Sequence, residues 1–376
     1  MAESETKKKT STSSIMPEWS LLPEELLHII IDKLDNCFNV VHARSVCRSW
    51  RSTFPFPSCL LRPSYSLPMF THFRRKSKDL FTLEKIPLFL FRASTPDADV
   101  AEYFMGGIGR DKSNDHMELP SPLQCSVKVK LPGSDPTLMN MLDYNILHLG
   151  YQYRMIGCNP DDYKGVAFLP LNKEGGEFVV LLNYSSFLLV LTSAEMGWKR
   201  LENVLFFACL HLITFRGRFY ATFHSGETVV IDPYSLEVTF LLPSPRTPVH
   251  YLVPFGNDEL FLVEVIFPTV GKLTCRVSRL DEEAGQWVEV SDLGDRVLFV
   301  GGHLGNISCS AQELPHGLGG NSILFTNGSG NVTFPYKYGV YTGNAEDNLD
   351  CWRSSMEDRV VILNKSFPVL AFKVEC

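Results

Sequence analysis

Residues 46–51 read VCRSWR, which sets one thiol beside two guanidinium groups and an indole. A cysteine becomes a nucleophile when a base or cation lowers its pKa and a substrate can reach it. Val46 and Trp50 lie one helical turn apart around Cys47, so the expected role is a small buried thiol that packs. Asp32 and Asp35 share a helix face as paired acids do, but Lys33 stands between them and a solvated face is the simpler reading. His303 and His316 flank a glycine-rich segment without a third residue at metal-ligand spacing. GGHLGN at 301–306 follows a strand and no helix dipole completes a phosphate cradle, which leaves a strand-to-strand turn. Arg216 and Arg218 beside Phe215, Phe219 and Tyr220 could stack on bases, yet Arg216-Gly217-Arg218 also fits a hairpin turn. HFRRKSK at 72–78 has the charge of a nucleic-acid contact or an import signal, and equally that of an exposed linker. No Gly-x-Ser-x-Gly elbow, His-Glu-x-x-His pair, P-loop or kinase signature occurs. The expectation is a chain with no catalytic residue, no metal ligand and no cofactor.

Composition narrows the partners. With 42 acidic against 35 basic residues the net charge is -7, which disfavours a protein built to grip phosphate backbones. Apolar residues make up 45% of 376 and charged residues 20%, the balance of a globular chain with a sizeable core. Ten cysteines are scattered without a Cys-x-x-Cys pair, as expected of reduced, buried thiols in an intracellular compartment. The first residues are polar and lack the apolar run of a secretory signal, so residues 1–17 are expected as a disordered tail. The longest apolar run, FVVLLNYSSFLLVL at 178–191, is interrupted by Asn-Tyr-Ser-Ser and reads as two buried strands around a turn, with no membrane partner.

Two kinds of periodicity divide the remainder. In WSLLPEELLHIIIDKL, Leu22, Leu26, Leu27, Ile30, Ile31 and Leu34 recur at helical spacing, and Pro23 with Glu24 and Glu25 suits the first turn. Two further short helices follow before residue 53, and three such helices cannot bury much by themselves. From about residue 85 the period becomes that of short strands parted by Gly, Pro, Asn and Asp. Residues 212–243 parse as four strands with turns at Arg216-Gly217, Ser225-Gly226 and Asp232-Pro233-Tyr234-Ser235, the content of one propeller blade. The stretch from Tyr251 to Gly294 repeats that layout, and Trp198 and Trp287 stand two blade lengths apart at about 45 residues per blade. A third copy is expected from VLFVGGHLGNISCS through NSILFTNG to YGVYTG. The expected fold is α+β and multidomain: helices over residues 18–58, a connector over 59–84, and a large all-β domain over 85–376. That domain is expected to be a β-propeller of six or seven blades, with a pair of β-sandwiches as the rival.

The helical stretch resembles an F-box, with matches at Leu22-Pro23, Glu24-Glu25-Leu26-Leu27, Ile30, Leu34, Val46-Cys47 and Trp50. The remainder is similar to the kelch-like propeller domain of plant F-box proteins, with matches at Gly217-Arg218-Phe219-Tyr220, Val230-Ile231-Asp232, Tyr251-Leu252-Val253, Arg279-Leu280-Asp281, Trp287, Leu298-Phe299-Val300-Gly301 and Asn321 to Thr326. This resemblance implies the substrate-recognition subunit of a Skp-cullin-F-box ubiquitin ligase, in the nucleus or cytoplasm. It would not be an enzyme. Its helices would dock on a Skp-type adaptor, and through it on cullin, while the propeller holds a client protein. Leu22, Pro23, Leu26, Leu27 and Ile30 are the expected adaptor-binding residues, with Val46 and Trp50 touching the adaptor or bracing the bundle. An F-box scaffold outside a ligase and a propeller enzyme are the competing readings. Asn39 and His42 make the second helix more polar than the F-box pattern.

Overall fold

The computed structural model describes residues 19–34, 37–61, 63–70, 80–94, 101–109, 126–130, 137–140, 145–158, 163–172, 176–185, 187–202, 204, 208–241, 249–266, 274–301, 306–314, 319–327, 331–338, 361–362 and 369–371. The expectations for residues 1–17, Asp35, 72–78, His303 and His316 lie outside them. The chain divides into two compact units, Met1–Ser58 and Cys59–Cys376.

In the first unit a single 3-10 turn precedes α1 (Glu24–Ile31), α2 (Cys37–Ala43) and α3 (Arg48–Thr53). Pro23 precedes α1 in an extended conformation, and its carbonyl accepts from the Leu26 and Leu27 amides at 3.1 and 3.2 Å. Glu24 and Glu25 fill the first turn, where the helix dipole favours negative charge. At the far end of the unit Phe54 precedes Pro55, whose ring disfavours a helical residue before it, and α3 stops there with Phe54 extended.

The second unit is all β. Its opening strands are β1 (Ser64–Leu67), β2 (Phe81–Ser94), β3 (Ala101–Gly109), β4 (Ser126–Lys130), β5 (Thr137–Asn140) and β6 (Asn145–Ile156). Residues 59–84, expected as a connector, therefore already supply β1 and the start of β2. Three four-stranded antiparallel meanders follow. The first holds β7 (Tyr163–Pro170), β8 (Phe178–Tyr184), β9 (Phe187–Thr192) and β10 (Lys199–Arg200). The second holds β11 (Cys209–Phe215), β12 (Arg218–Phe223), β13 (Thr228–Ile231) and β14 (Val238–Phe240). The third holds β15 (Val249–Phe255), β16 (Glu259–Ile266), β17 (Thr274–Asp281) and β18 (Gln286–Glu289). After them come β19 (Arg296–Gly301), β20 (Ile307–Ser310), β21 (Ser322–Asn327), β22 (Asn331–Lys337), β23 (Val361–Ile362) and β24 (Val369–Ala371).

The expected third copy of the meander is not one. Its strands run β20-β19-β21-β22, with β19 and β21 parallel, and they join β1, β2, β3, β6 and β24 in one nine-stranded sheet. β4, β5 and β23 form a separate three-stranded sheet.

Strands β6, β7, β11, β15 and β20 lie side by side in a closed round. Each is the edge strand of a blade, so the domain is a β-propeller of five blades, where six or seven were expected. The nine-stranded sheet supplies two of them, one around β6 and β2, the other around β20, β19 and β21, touching at the pairing of Asn331 with Phe104. Division of the whole length by one period overcounts, because β2 and β6 are long and β4, β5 and β23 stand apart.

The packing has the same count. Five apolar clusters fill the five spaces between neighbouring blades. On β8, Val179 and Leu181 face the β11–β14 blade while Val180 and Leu182 face β1, β2 and β6. On β16, Leu260 and Leu262 face one neighbour and Phe261, Val263 and Val265 the other. A strand buried on both faces reads as a continuous apolar run, and each fully buried side chain contributes about 1.5–3 kcal/mol. FVVLLNYSSFLLVL is such a pair, with Ser185 at the turn at φ 56°.

The turns fall where sequence placed them. Arg216 and Gly217, at φ 46° and 72°, make the two-residue hairpin between β11 and β12, whose twist requires positive φ at both positions. Asp232 Oδ1 accepts from the Tyr234 and Ser235 amides, both at 2.9 Å, closing the turn into β14. Where β6 meets β20, Gly150 at φ 147° is needed for a different reason: a Cβ there would stand 2.7 Å from Ile307 Cδ1.

Candidate docking surface

The helical unit is built around four buried side chains, Leu27, Ala43, Trp50 and Phe54, with Leu22, Ile30, Ile31, Leu34, Val40 and Cys47 packed partly buried against them. Trp50 is the hub. Its ring stacks on Phe54 at 5.4 Å and meets Trp19 edge-on at 6.4 Å, and its Nε1–H donates to the Trp19 carbonyl at 2.9 Å. Those contacts tie the segment ahead of α1 to α3, which a small three-helix unit could not hold by helix propensity alone.

Polar groups of the unit are used locally. The His42 ring donates through Nδ1 to the Phe38 carbonyl at 2.7 Å, and Ser45 Oγ donates to the His42 carbonyl at 2.6 Å. One ring nitrogen of His42 is thereby satisfied by the backbone of α2, while Nε2 is buried with no hydrogen-bond partner among the described residues. Arg44 donates to the carbonyls of Arg51 and Phe54, placing a cation on the unpaired end of α3, and its guanidinium lies 5.7 Å from the Phe56 ring. Sequence reasoning did not single out Arg44.

Of the seven residues read as adaptor contacts, Leu27 and Trp50 lie inside the bundle, where they shape the surface from beneath. Leu22 and Ile30 are half-buried at its margin, and Pro23, Leu26 and Val46 are exposed. The structure adds Ile29, which is 58% exposed against 1% for Leu27 two residues earlier. It also exposes Trp19 and Leu21. At about 100° per residue, Leu26 and Ile29 of α1 form one stripe beside the stripe of Leu27 and Ile31 that faces the core, which Leu22 and Leu34 flank from outside the helix. The apolar arc of α1 is thus wider than its own core uses. The signal in the sequence was the run Ile29-Ile30-Ile31, since three consecutive isoleucines cannot share one face.

Cys47 is half-buried against the bundle core, and burial pushes the thiols of Cys209 and Cys309 up to about 12, away from the reactive thiolate. Among the described residues no three His, Cys, Asp or Glu side chains come together as metal ligands, and no helix is long and apolar enough to cross a membrane. What the surface can do is bury leucine and isoleucine side chains against an apolar partner.

Comparison with known proteins bears on both units. Residues 19–59 match the F-box domain, and residues 100–342 match the KIB1-4 beta-propeller. An F-box/kelch-repeat protein of Arabidopsis thaliana is 65% identical over 98% of this chain and 99% of its own length. A second from the same plant is 62% identical over 96% of this chain and 97% of its own.

Proposed function

The chain belongs to the plant F-box/kelch-repeat proteins that carry a KIB1-4 β-propeller, and on that premise we propose that it is the substrate-recognition subunit of a Skp-cullin-F-box ubiquitin ligase. Its α1 surface docks on a Skp-type adaptor, and through it on cullin, while the propeller holds the protein to be ubiquitinated. It carries out no step of the transfer itself. The observation that carries this reading is the exposed apolar pair Leu26 and Ile29 on a helix whose neighbouring stripe, with Leu27, is already buried. Pro23 and Val46 extend the apolar surface, and Leu27, Ile30 and Trp50 hold it in shape.

The test is co-purification of the full chain with a Skp-type adaptor. The intact chain is expected to bring the adaptor down, and the double variant Leu22→Ala, Pro23→Ala is expected to lose it. Absence of detectable binding by the intact chain overturns the proposal. Binding without any client whose turnover changes on removal of the protein points instead to a scaffold outside a ligase.

A further inference from the structure

The buried polar side chains of the propeller are gathered in one place. Among the described residues seven polar or charged side chains are buried, and five of them are Thr222, Thr228, His250, Glu264 and Ser278. Alternation along the strands turns all five into one interblade space, between the β11–β14 and β15–β18 blades. Thr222 shares a face with Tyr220, Thr228 with Val230, His250 with Leu252, Glu264 with Leu262 and Ser278 with Leu280, and those partners belong to the apolar cluster of that space. His211 lies on the same face of β11 as Ile213, and Arg276 on the same face of β17 as Ser278.

Each blade thus contributes a cross-strand row. His211 is opposite Thr222 and Thr222 opposite Thr228, while His250 is opposite Glu264 and Glu264 opposite Arg276. Arg276 stands 3.7 Å from Glu264 and 3.7 Å from the exposed Glu289 of β18, so the outer end of its row reaches solvent. Thr222 Oγ1 has no hydrogen-bond partner among the described residues. Buried polar groups return less on closure than apolar ones, which makes this the weaker end of the space. At the other end the apolar cluster and the tie of Arg216 and Tyr220 to Glu282 hold the same two blades.

His211 joins these rows to a third blade. Its Nδ1 faces the Asn306 Nδ2 at 3.5 Å, and Asn306 Oδ1 accepts from the Gly301 amide at 3.4 Å, which turns the Nδ2 donor toward the ring. A neutral ring accepts there, whereas a protonated one sets N–H against N–H. The groups around His211 are Thr222 of β12, Thr228 of β13, His250 and Tyr251 of β15, Glu264 of β16, and Arg276 of β17 with Glu289 beyond it, with Asn306 ahead of β20. Burial and then the charge of His250 lower His211 from its ordinary 6.5 to about 4, against a hydrogen bond to the His250 backbone. A histidine held low in this way stabilises the closed arrangement above its ordinary value and loses that contribution as pH falls toward 4.

We propose that His211 is the latch of an acid-opened joint: its protonation parts the β11–β14 and β15–β18 blades at their polar end, while the other interblade spaces stay shut. The joint is a conformational device of the propeller and does not depend on the ligase reading.

Thr222→Cys places a reporter thiol in the joint, and native Cys309, buried in a different interblade cluster, is the internal reference. The full chain is treated with 4,4'-dithiodipyridine, which reacts with thiols in acid as well as at neutral pH, and labelling is quantified cysteine by cysteine. The ratio of the reporter rate to the Cys309 rate is expected to rise by about tenfold or more from pH 7 to pH 5. With His211→Gln added, which keeps a neutral hydrogen-bonding side chain, the ratio is expected to stay level. If Thr222→Cys does not fold, Ser278→Cys carries the thiol into the same space, and His211→Leu stands in for His211→Gln on the same terms. A rise that the His211 replacement abolishes upholds the joint. A level ratio with His211 present, both thiols becoming reactive together, or a rise that persists without His211 overturns it. The readout needs neither adaptor nor client, so failure here and failure of adaptor binding are separate results.

Discussion

The two units dispose of apolar surface in opposite ways. Of the twelve large hydrophobic side chains exposed among the described residues, five belong to the small helical unit: Trp19, Leu21, Leu26, Ile29 and Val46. The seven on the propeller are spread over a unit several times larger. Inside, the order reverses: the helical unit has a core of four buried residues, whereas the propeller blades bury both faces in five clusters. A blade is sandwiched between two neighbours and uses its apolar residues internally. Helix α1 has one neighbouring core and two apolar stripes, so one stripe remains for a partner.

The sharpest way to break this contrast is to empty one core and watch the other. Phe299 of β19 is fully buried between blades, and Phe299→Ala is expected to cost about 3–5 kcal/mol, since the cavity adds to the lost transfer energy. The propeller should melt earlier in calorimetry while the helical unit keeps its own transition. Trp50→Ala removes a stacked ring and the hydrogen bond to Trp19, and about 2–3 kcal/mol is expected, bounded by how little a four-residue core contributes. Here the helical signal should be lost and the propeller transition kept. A single shared transition shifted by both variants would show that the units are not independent.

What was legible in the sequence follows the same division. Four-stranded blades at 209–240 and 249–289 could be parsed because each turn carries its own residues, such as Arg216-Gly217 and Asp232 to Ser235. The blade count was not legible. The parallel pairing of β19 with β21, and the joining of two blades at Asn331 and Phe104, are long-range choices that leave no local period. In the helical unit the core stripe was readable from spacing, but Ile29 was passed over because a single-stripe reading of α1 discards what does not fit the core. Leu27 was legible as apolar but not as interior, because spacing does not say which of two stripes meets the protein's own core.

That second stripe offers a finer test. Leu26→Glu with Ile29→Glu changes exposed positions, so thermal stability is expected to move by less than about 0.5 kcal/mol. Adaptor binding, measured by calorimetric titration, is expected to weaken at least about tenfold, or about 1.4 kcal/mol. Loss of binding without loss of stability separates docking surface from core. Loss of both would mean that the stripe serves the bundle, and the contrast between the units would fail.

The smallest expected effect lies on the propeller, where polar contacts supplement apolar packing between blades. Arg216, in the β11–β12 turn, reaches the neighbouring blade through the Asn257 and Asp258 carbonyls at 2.7 and 2.6 Å and through Glu282 at 2.6 Å. Tyr220 donates its hydroxyl to the same carboxylate at 2.8 Å. Burial works to raise the Glu282 carboxyl, but the hydrogen bonds from Tyr220 and Arg216 outweigh it and hold the group below its ordinary value of 4.5. A carboxyl with a depressed folded-state pKa contributes stability that is present above the unfolded pKa and lost as pH falls through the folded value. Tyr220→Phe keeps the ring in its apolar cluster and removes one of those donors, so about 1 kcal/mol should be lost near neutral pH. Urea unfolding of both proteins at pH 7 and pH 3 checks the sign: the gap should be largest at pH 7 and narrow in acid, where protonation weakens the tie in the parent as well. A gap that widens in acid would mean that Tyr220 supports the blades through its ring packing and that the tie to Glu282 contributes nothing.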